Sequence, residues 1–245
     1  DGRKTNASQI VAGYTLQIID AFQKEFGEDA PLGATTIERN WFNPNLDYKY
    51  FTLPSLIAML SALVGLLVTC MSVARERELG TFEQLLVSPL HPIEILIGKA
   101  VAALLVSIVE ATGILLISVY IFGIPFEGSL VLLYGAMLIF LLSIVGAGLF
   151  ISSLSMTQQQ GILGAFAFMS LAVVLSGFAT PVQNMPQWLQ IISLGNPMRW
   201  FMTIARGVFL KGMPLADVIS NTWPMAIIAP VTLSSATILF RKRME

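Results

Sequence analysis

Five stretches of the chain, 52–73, 100–122, 129–151, 161–179 and 222–240, are apolar over about twenty residues each, and together they contain one charged residue, Glu110. A helix needs roughly 20 apolar residues to cross the hydrocarbon core of a bilayer. Lipid offers backbone amides no partner, so such runs span as helices. The expected fold is therefore an all-α, polytopic helical bundle with five spans. Composition agrees: 55% of residues are hydrophobic and 12% are charged, where a soluble domain carries roughly 25% charged residues. That balance excludes an ordinary soluble fold and excludes disorder. The single cysteine, Cys70, lies inside an apolar run, which excludes an intrachain disulfide and a cysteine-based metal site.

Of the 14 basic and 15 acidic residues, twelve lie in residues 1–50. The chain thus reads as a water-facing segment, 1–50, followed by a membrane domain, 51–245. In the segment, Ile10, Tyr14, Ile18 and Phe22 recur every four residues and predict an amphipathic helix over 7–26. A turn-rich break follows at 27–33, and 35–50 admits a short strand and a loop running to the membrane. Trp41, Tyr48, Tyr50 and Phe51 suit an interfacial aromatic belt; the core of the water-facing part is the other reading, and for Trp41 it is an equal one. The chain opens on Asp1 without a start methionine, which leads to the expectation of a processed or truncated chain.

Lysine and arginine in short loops mark the cytoplasmic side of a membrane protein. Five spans place Arg75, Arg77, Lys99 and the terminal Arg241-Lys242-Arg243 together on that side, with 1–50 and 181–220 outside. A sixth span at 188–210 reverses the terminal cluster. Pro181, Pro186 and Pro197 punctuate the outer region. Beyond them, Phe201, Ile204, Ala205, Val208 and Phe209 share one helical face, with Arg199, Thr203 and Arg206 on the other. Two readings of 181–211 stay open: a re-entrant element that closes the outer end of a pathway, or an amphipathic helix on the membrane surface. Small-residue pairs at Ser61/Gly65 and Gly161/Ala165 allow close helix approach but do not define a dimer face.

A search for catalytic motifs is negative. His91 is the only histidine, no GxxxxGK[ST] phosphate loop occurs, and no Gly-x-Ser-x-Gly elbow occurs. Glu110, near the middle of its span, must face the protein or a watered path, because a charge in lipid costs about 2.5–3.5 kcal/mol. It reads either as a structural carboxyl or as a gate or contact for a cationic substrate. Lys99 lies too far along the same helix to pair with it, about 16 Å away at helical rise.

The stretch 74–99, ARERELGTFEQLLVSPLHPIEILIGK, is the most informative. Arg75-Glu76-Arg77-Glu78 stops the first span. Thr81 with Gln84 predicts a capping box, Pro89 ends the short helix over 81–88, and Pro92 suits the first turn of a helix running into the next span. Phe82, Leu85 and Leu86 form an apolar knob. Taken alone, this is a juxtamembrane helix resting on lipid or a docking helix for a cytoplasmic partner.

The run Glu78-Leu79-Gly80-Thr81-Phe82-Glu83-Gln84-Leu85-Leu86, then Ser88-Pro89-Leu90 and Gly98-Lys99, resembles the signature of ABC-2 type transporter permeases, over about residues 50–245. Asn196-Pro197 before an amphipathic helix and the basic end fit the same family. The resemblance implies the type V exporter architecture, with 1–50 as the C-terminal part of an extracytoplasmic domain whose first span is not in this chain. It implies a coupling role for Arg75, Glu76, Arg77, Glu78, Gly80, Thr81, Phe82, Glu83 and Gln84, and it makes Glu110, Phe178, Pro181, Asn196, Pro197 and Arg199 candidates for the pathway or its gate. Partners implied are ABC ATPase subunits, a second permease subunit, membrane lipids and a periplasmic adaptor, with no nucleic acid. The chain itself is expected to hold no cofactor and to catalyse nothing, ATP and Mg being bound by the partner ATPase. The expected setting is a bacterial inner membrane, with 1–50 outside and the C-terminus in the cytoplasm, and the expected cargo is an amphiphilic, drug-like or lipid-like compound. The rival readings are an ion-coupled secondary transporter using Glu110 and a membrane scaffold without transport.

Overall fold

The computed structural model describes residues 47–82, 84, 89 and 91–242, together with Tyr14, Thr15, Gln17, Ile18, Ala21 and Phe22, which are helical and exposed. The rest of the predicted 7–26 helix, the break at 27–33, Trp41, Glu83 and 85–88 lie outside the described residues. Seven α-helices and no strand occur among the described residues. Five helices are long and apolar enough to cross a membrane. They are α1 (Tyr48–Glu78), α2 (Pro92–Leu116, extended by a π-helical turn at Ile117–Ile121), α3 (Leu130–Leu154), α4 (Gln158–Leu175) and, after the outer element, α7 (Leu215–Lys242).

Four of the five helices outrun the predicted spans, because apolar length sets membrane depth whereas capping sets where a helix ends. The Arg75–Glu78 charges do not stop α1; they form its last turn. The stop is Gly80, whose φ of 72° is the left-handed conformation that glycine adopts without a Cβ penalty. Pro92 opens α2 as expected, with a capping box between His91 and Glu94. In contrast, α4 ends at Leu175, short of the predicted 179, where Ser176 and Gly177 (φ 84°) turn the chain.

The central helix is α3, which packs on both α1 and α7. Glycines allow the close approach: a Cβ on Gly148 would overlap the Thr69 side chain of α1, and one on Gly161 of α4 would lie 2.8 Å from the Cys70 carbonyl. The small residues Ser61, Gly65, Gly161 and Ala165 are all buried inside this one chain. Ser152 stitches the same seam, donating to the Cys70 carbonyl at 2.7 Å and accepting from the Val73 amide at 3.1 Å.

The outer element consists of a 3-10 turn (Val182–Asn184), α5 (Gln187–Ser193) and α6 (Pro197–Lys211). Its predicted apolar face is fully buried: Phe201, Ile204, Ala205, Val208 and Phe209 are each 0% exposed. Phe201 stacks on Phe140 at 4.5 Å and 10°. Phe140 lies ten residues into α3, about 15 Å below its outer end at 1.5 Å per residue. At the other end of α6, the Phe209 carbonyl accepts the Glu127 amide at 3.1 Å, in the loop that opens α3. The chain therefore descends to the start of α6 and climbs back along it. The apolar face thus packs inside the bundle, where the burial of all five residues outweighs their affinity for an interface.

Candidate functional site

Two clusters of polar and aromatic side chains lie at opposite ends of the bundle. At the inner end, the last turn of α1 reaches three other helices, and Phe82 just past it reaches a fourth. The Lys99 ammonium of α2 meets Glu76 Oε1 at 2.6 Å and donates to Ser72 Oγ at 3.0 Å. Arg77 Nη1 donates to the Ser153 and Ser155 carbonyls at the end of α3, at 2.9 and 3.2 Å. Glu78 Oε2 accepts the backbone amide of Gln158, the first residue of α4, at 2.8 Å. This satisfies an amide that a helix start leaves without an internal partner and places negative charge at the positive end of its dipole. The Arg77 guanidinium lies 4.9 Å from the Phe82 ring, which meets Phe240 of α7 edge-to-face at 5.9 Å. The Glu76–Lys99 side chains are 27% and 11% exposed, so the pair is less screened by water and salt than an open surface pair.

Past Gly80 the chain folds back, and the Thr81 hydroxyl donates to the Glu76 carbonyl at 3.3 Å, one of the carbonyls α1 leaves open at its end. The predicted Thr81–Gln84 capping box takes a different form: the Gln84 amide donates to the Thr81 backbone carbonyl at 3.2 Å. The reversal at Gly80 turns the Thr81 side chain toward α1. Arg75, Gly80 and Gln84 are exposed.

At the outer end, Arg206 of α6 turns inward to α1. Its guanidinium lies 3.8 Å from the Phe51 ring, and Nε donates to the buried Ser55 hydroxyl at 2.7 Å. Phe178, just past α4, stacks on the Phe51 ring at 5.8 Å. Asn196 caps α6 by accepting the Met198 amide at 3.1 Å, while its Nδ2 donates to the Ala172 carbonyl in the last turn of α4 at 2.6 Å. Arg199 donates to Ser193 Oγ at 2.6 Å and to the Gln190 carbonyl at 3.3 Å, so it ties α6 to α5. Pro197 is buried at the start of α6, and Pro181 is exposed before the 3-10 turn. Between α4 and this element lies a cavity of about 190 Å³, walled by Phe168, Leu171, Leu175 and Ile192, with Asn196 as its polar group.

Residues 2–238 match the ABC-2 family transporter proteins. The chain belongs to the ABC-2 transporter family. It is 48% identical to the probable multidrug ABC transporter permease YbhR of Escherichia coli K12, over all of this chain and 67% of that protein. It is 32% identical to the probable multidrug ABC transporter permease YbhS of the same strain, over 86% of this chain and 58% of that one. ABC transporter G family member 20 of Dictyostelium discoideum is 26% identical over 76% of this chain and 26% of its own length. The chain thus spans about two thirds of YbhR and less of the others. As an ABC-2 permease, it is a multi-pass membrane subunit of an ABC exporter.

The residues that the family resemblance marks for coupling gather at the inner end of this permease, Glu83 lying outside the described residues. Of the pathway candidates, Phe178, Pro181, Asn196, Pro197 and Arg199 gather at the outer end. Glu110 does not join them: it sits on α2, which packs on α1 and α3. It is half-buried, and its Oε2 is shielded and makes no hydrogen bond among the described residues. Two contacts escaped sequence reasoning. Spacing puts Arg206 on the polar face of α6, yet it packs inward against Ser55 and Phe51 of α1. Glu76 as the partner of Lys99 needed the α1–α2 packing to be seen.

Proposed function

We propose that this permease works as a dimer with two ATPase subunits, in a bacterial inner membrane, with the α1–α2 loop and the C-terminus in the cytoplasm and 1–50 outside. ATP and Mg are held by the ATPase, and the permease contributes no catalytic group. The observation that supports this reading is the inner cluster: one turn of α1 holds the adjoining ends of α2, α3 and α4, and Phe82 holds α7. A displacement of the segment after Gly80 by an ATPase reaches all five spans through these contacts, without passing through the lipid-embedded core. The re-entrant element is the outer gate, its position fixed by Asn196, Arg199 and Arg206. The cargo is an amphiphilic compound, drug-like or lipid-like. That class is supported by the names of YbhR and YbhS and by the apolar walls of the outer cavity.

The test is co-purification with the cognate ATPase, paired with substrate-stimulated ATP hydrolysis. Phe82→Ala removes the ring that joins the coupling segment to Arg77 and Phe240, and aromatic anchors can be worth 2 kcal/mol or more; ATPase occupancy should fall with normal membrane insertion. Lys99→Met breaks the pair with Glu76 inside the permease; ATPase occupancy should stay while stimulated hydrolysis falls. Full stoichiometric ATPase with normal stimulation in both variants would remove the coupling role.

A further inference from the structure

The outer element brings cations and no acid of its own. From Gly128 to Ala216 the chain has no aspartate or glutamate, and the cations of that stretch, Arg199, Arg206 and Lys211, all stand on α6. Arg206 is turned inward, and its Nη2 is shielded from solvent. Arg199 is half-buried and borders a groove of about 350 Å³ between α5 and the start of α6, lined also by Gln187, Gln190, Ile191 and Leu194. Both hydrogen bonds of its guanidinium leave from Nη1, and both partners are neutral: Ser193 Oγ at 2.6 Å and the Gln190 carbonyl at 3.3 Å. Among the described residues Nε and Nη2 have no partner, and no carboxylate pairs with the group. The charge is thus held in place without being neutralised. Trp200 backs it, with its ring 5.0 Å from the guanidinium and its indole donating to the Leu194 carbonyl at 3.0 Å. Gln187 is exposed on the rim, and its side-chain amide makes no hydrogen bond among the described residues. Beside these polar groups, Ile191 and Leu194 are exposed.

We propose, on the reading of the cargo as an amphiphile, that this groove receives an acid group of that cargo. The acid meets the open edge of Arg199 and the Gln187 amide, and the apolar chain lies on Ile191 and Leu194. Nε–H and Nη2–H stand side by side on that edge, the fork that pairs with two oxygens of one phosphate or carboxylate. The bonds to Ser193 and Gln190 fix the fork before the acid arrives, so less freedom is lost on binding. Charge complementarity sets the sign of the head, since no acid among the lining residues could receive an amine. The exposed isoleucine and leucine favour an amphiphile over a soluble anion. The volume is near the low end of ligand sites, which run from about 300 to 1,000 Å³, and suits one chain better than a two-tailed phospholipid. A cationic group on the same cargo stays free for Glu110, which lies on α2.

The full permease, purified in a nonionic detergent, is titrated with a brominated dodecyl chain carrying either phosphate or trimethylammonium, and binding is read as quenching of tryptophan fluorescence. The alkyl phosphate should quench at a lower concentration than the alkylammonium. Replacing Trp188 and Trp200 together by Phe should remove that difference; a difference that persists places the binding elsewhere and overturns the proposal. Arg199→Gln should weaken phosphate binding about tenfold, since a hydrogen bond to a charged group supplies that much or more. Ser193→Ala removes a neutral partner and keeps the cation, so the preference for phosphate should remain, which separates recognition of charge from the bracing of α5. Gln187→Glu puts a carboxylate on the rim, at a side chain with no partner among the described residues, and should abolish the preference; it decides the matter if Arg199→Gln fails to fold. Equal binding of the two heads overturns the proposal and leaves the amphiphilic cargo standing, whereas binding of neither removes both. A preference that survives Gln187→Glu overturns it as well. Displacement of the alkyl phosphate by inorganic phosphate reduces the groove to a soluble-anion site, and displacement by phosphatidylglycerol assigns it to a membrane lipid; either result overturns the assignment to cargo.

Discussion

Arg206 shows how one ionic residue is kept inside the bundle. A bare guanidinium buried there costs several kcal/mol. Here one face is covered by Phe51, whose ring supplies an attraction of about 0.5–2 kcal/mol, and Nε is bonded to Ser55. Glu110 has no such support: its Oε2 is shielded without a hydrogen bond among the described residues. Lys99, a cation on its own helix, is held by Glu76. A carboxyl left in this state is suited to a transient partner. Glu110→Gln keeps shape and hydrogen-bonding capacity and removes the charge. Transport of a cationic substrate should therefore fall while the amount of folded protein stays normal. Unchanged transport in Glu110→Gln, with less folded protein in Glu110→Leu, assigns the residue to structure instead.

At the scale of elements, the separation of α1 and α3 is set by the absence of side chains. Gly148 faces Thr69, and Thr69 already donates back to the Gly65 carbonyl at 2.7 Å, so its hydroxyl has little freedom to retreat. Gly148→Ala should destabilise the purified protein by about 1–3 kcal/mol, the usual cost of overpacking. Gly135 lies on the same helix with open space around its missing Cβ. Gly135→Ala should be neutral or stabilising, by up to about 1 kcal/mol, because alanine loses less backbone freedom in a helix. Thermal unfolding of the two variants in one detergent checks the contrast; equal shifts would mean that interhelical contact does not govern this seam. The same helix carries Phe140, whose stack on Phe201 holds α6 down in the bundle, and an aromatic pair of this kind adds about 0.5–1.5 kcal/mol beyond its buried area.

For the whole molecule, the five long helices put the two charged clusters at opposite ends. Glu76–Lys99, Arg77–Ser153, Glu78–Gln158 and Phe82–Phe240 lie at one end, and Arg206–Ser55 and Phe51–Phe178 at the other. This alternation agrees with five crossings and is independent of which end faces the cytoplasm. The bias of Lys and Arg supports the proposed orientation, with the Glu76 end in the cytoplasm. With Cys70 replaced by serine, a cysteine placed at Ser88 should resist an impermeant thiol reagent in intact cells, and one placed at Asn184 should label. The opposite pattern reverses the orientation.

The sequence by itself determined the class, because a bilayer accepts so few backbone solutions. Twenty apolar residues in lipid have to be helical, so the five spans were legible from composition alone. The run from Glu78 to Leu86 carried the family, and the spacing of Phe201, Ile204, Ala205, Val208 and Phe209 carried the face of α6. What the sequence could not decide was the depth and the partners of that face. An amphipathic stripe satisfies a membrane surface and a protein core alike, and only the fit of Phe201 against Phe140, with Arg206 received by Ser55 and Phe51, draws the element inward. Charge pairing followed the same rule. Periodicity places a lysine on a helix, but its partner stands on another helix, and the choice of Glu76 for Lys99 came from how α1 and α2 pack.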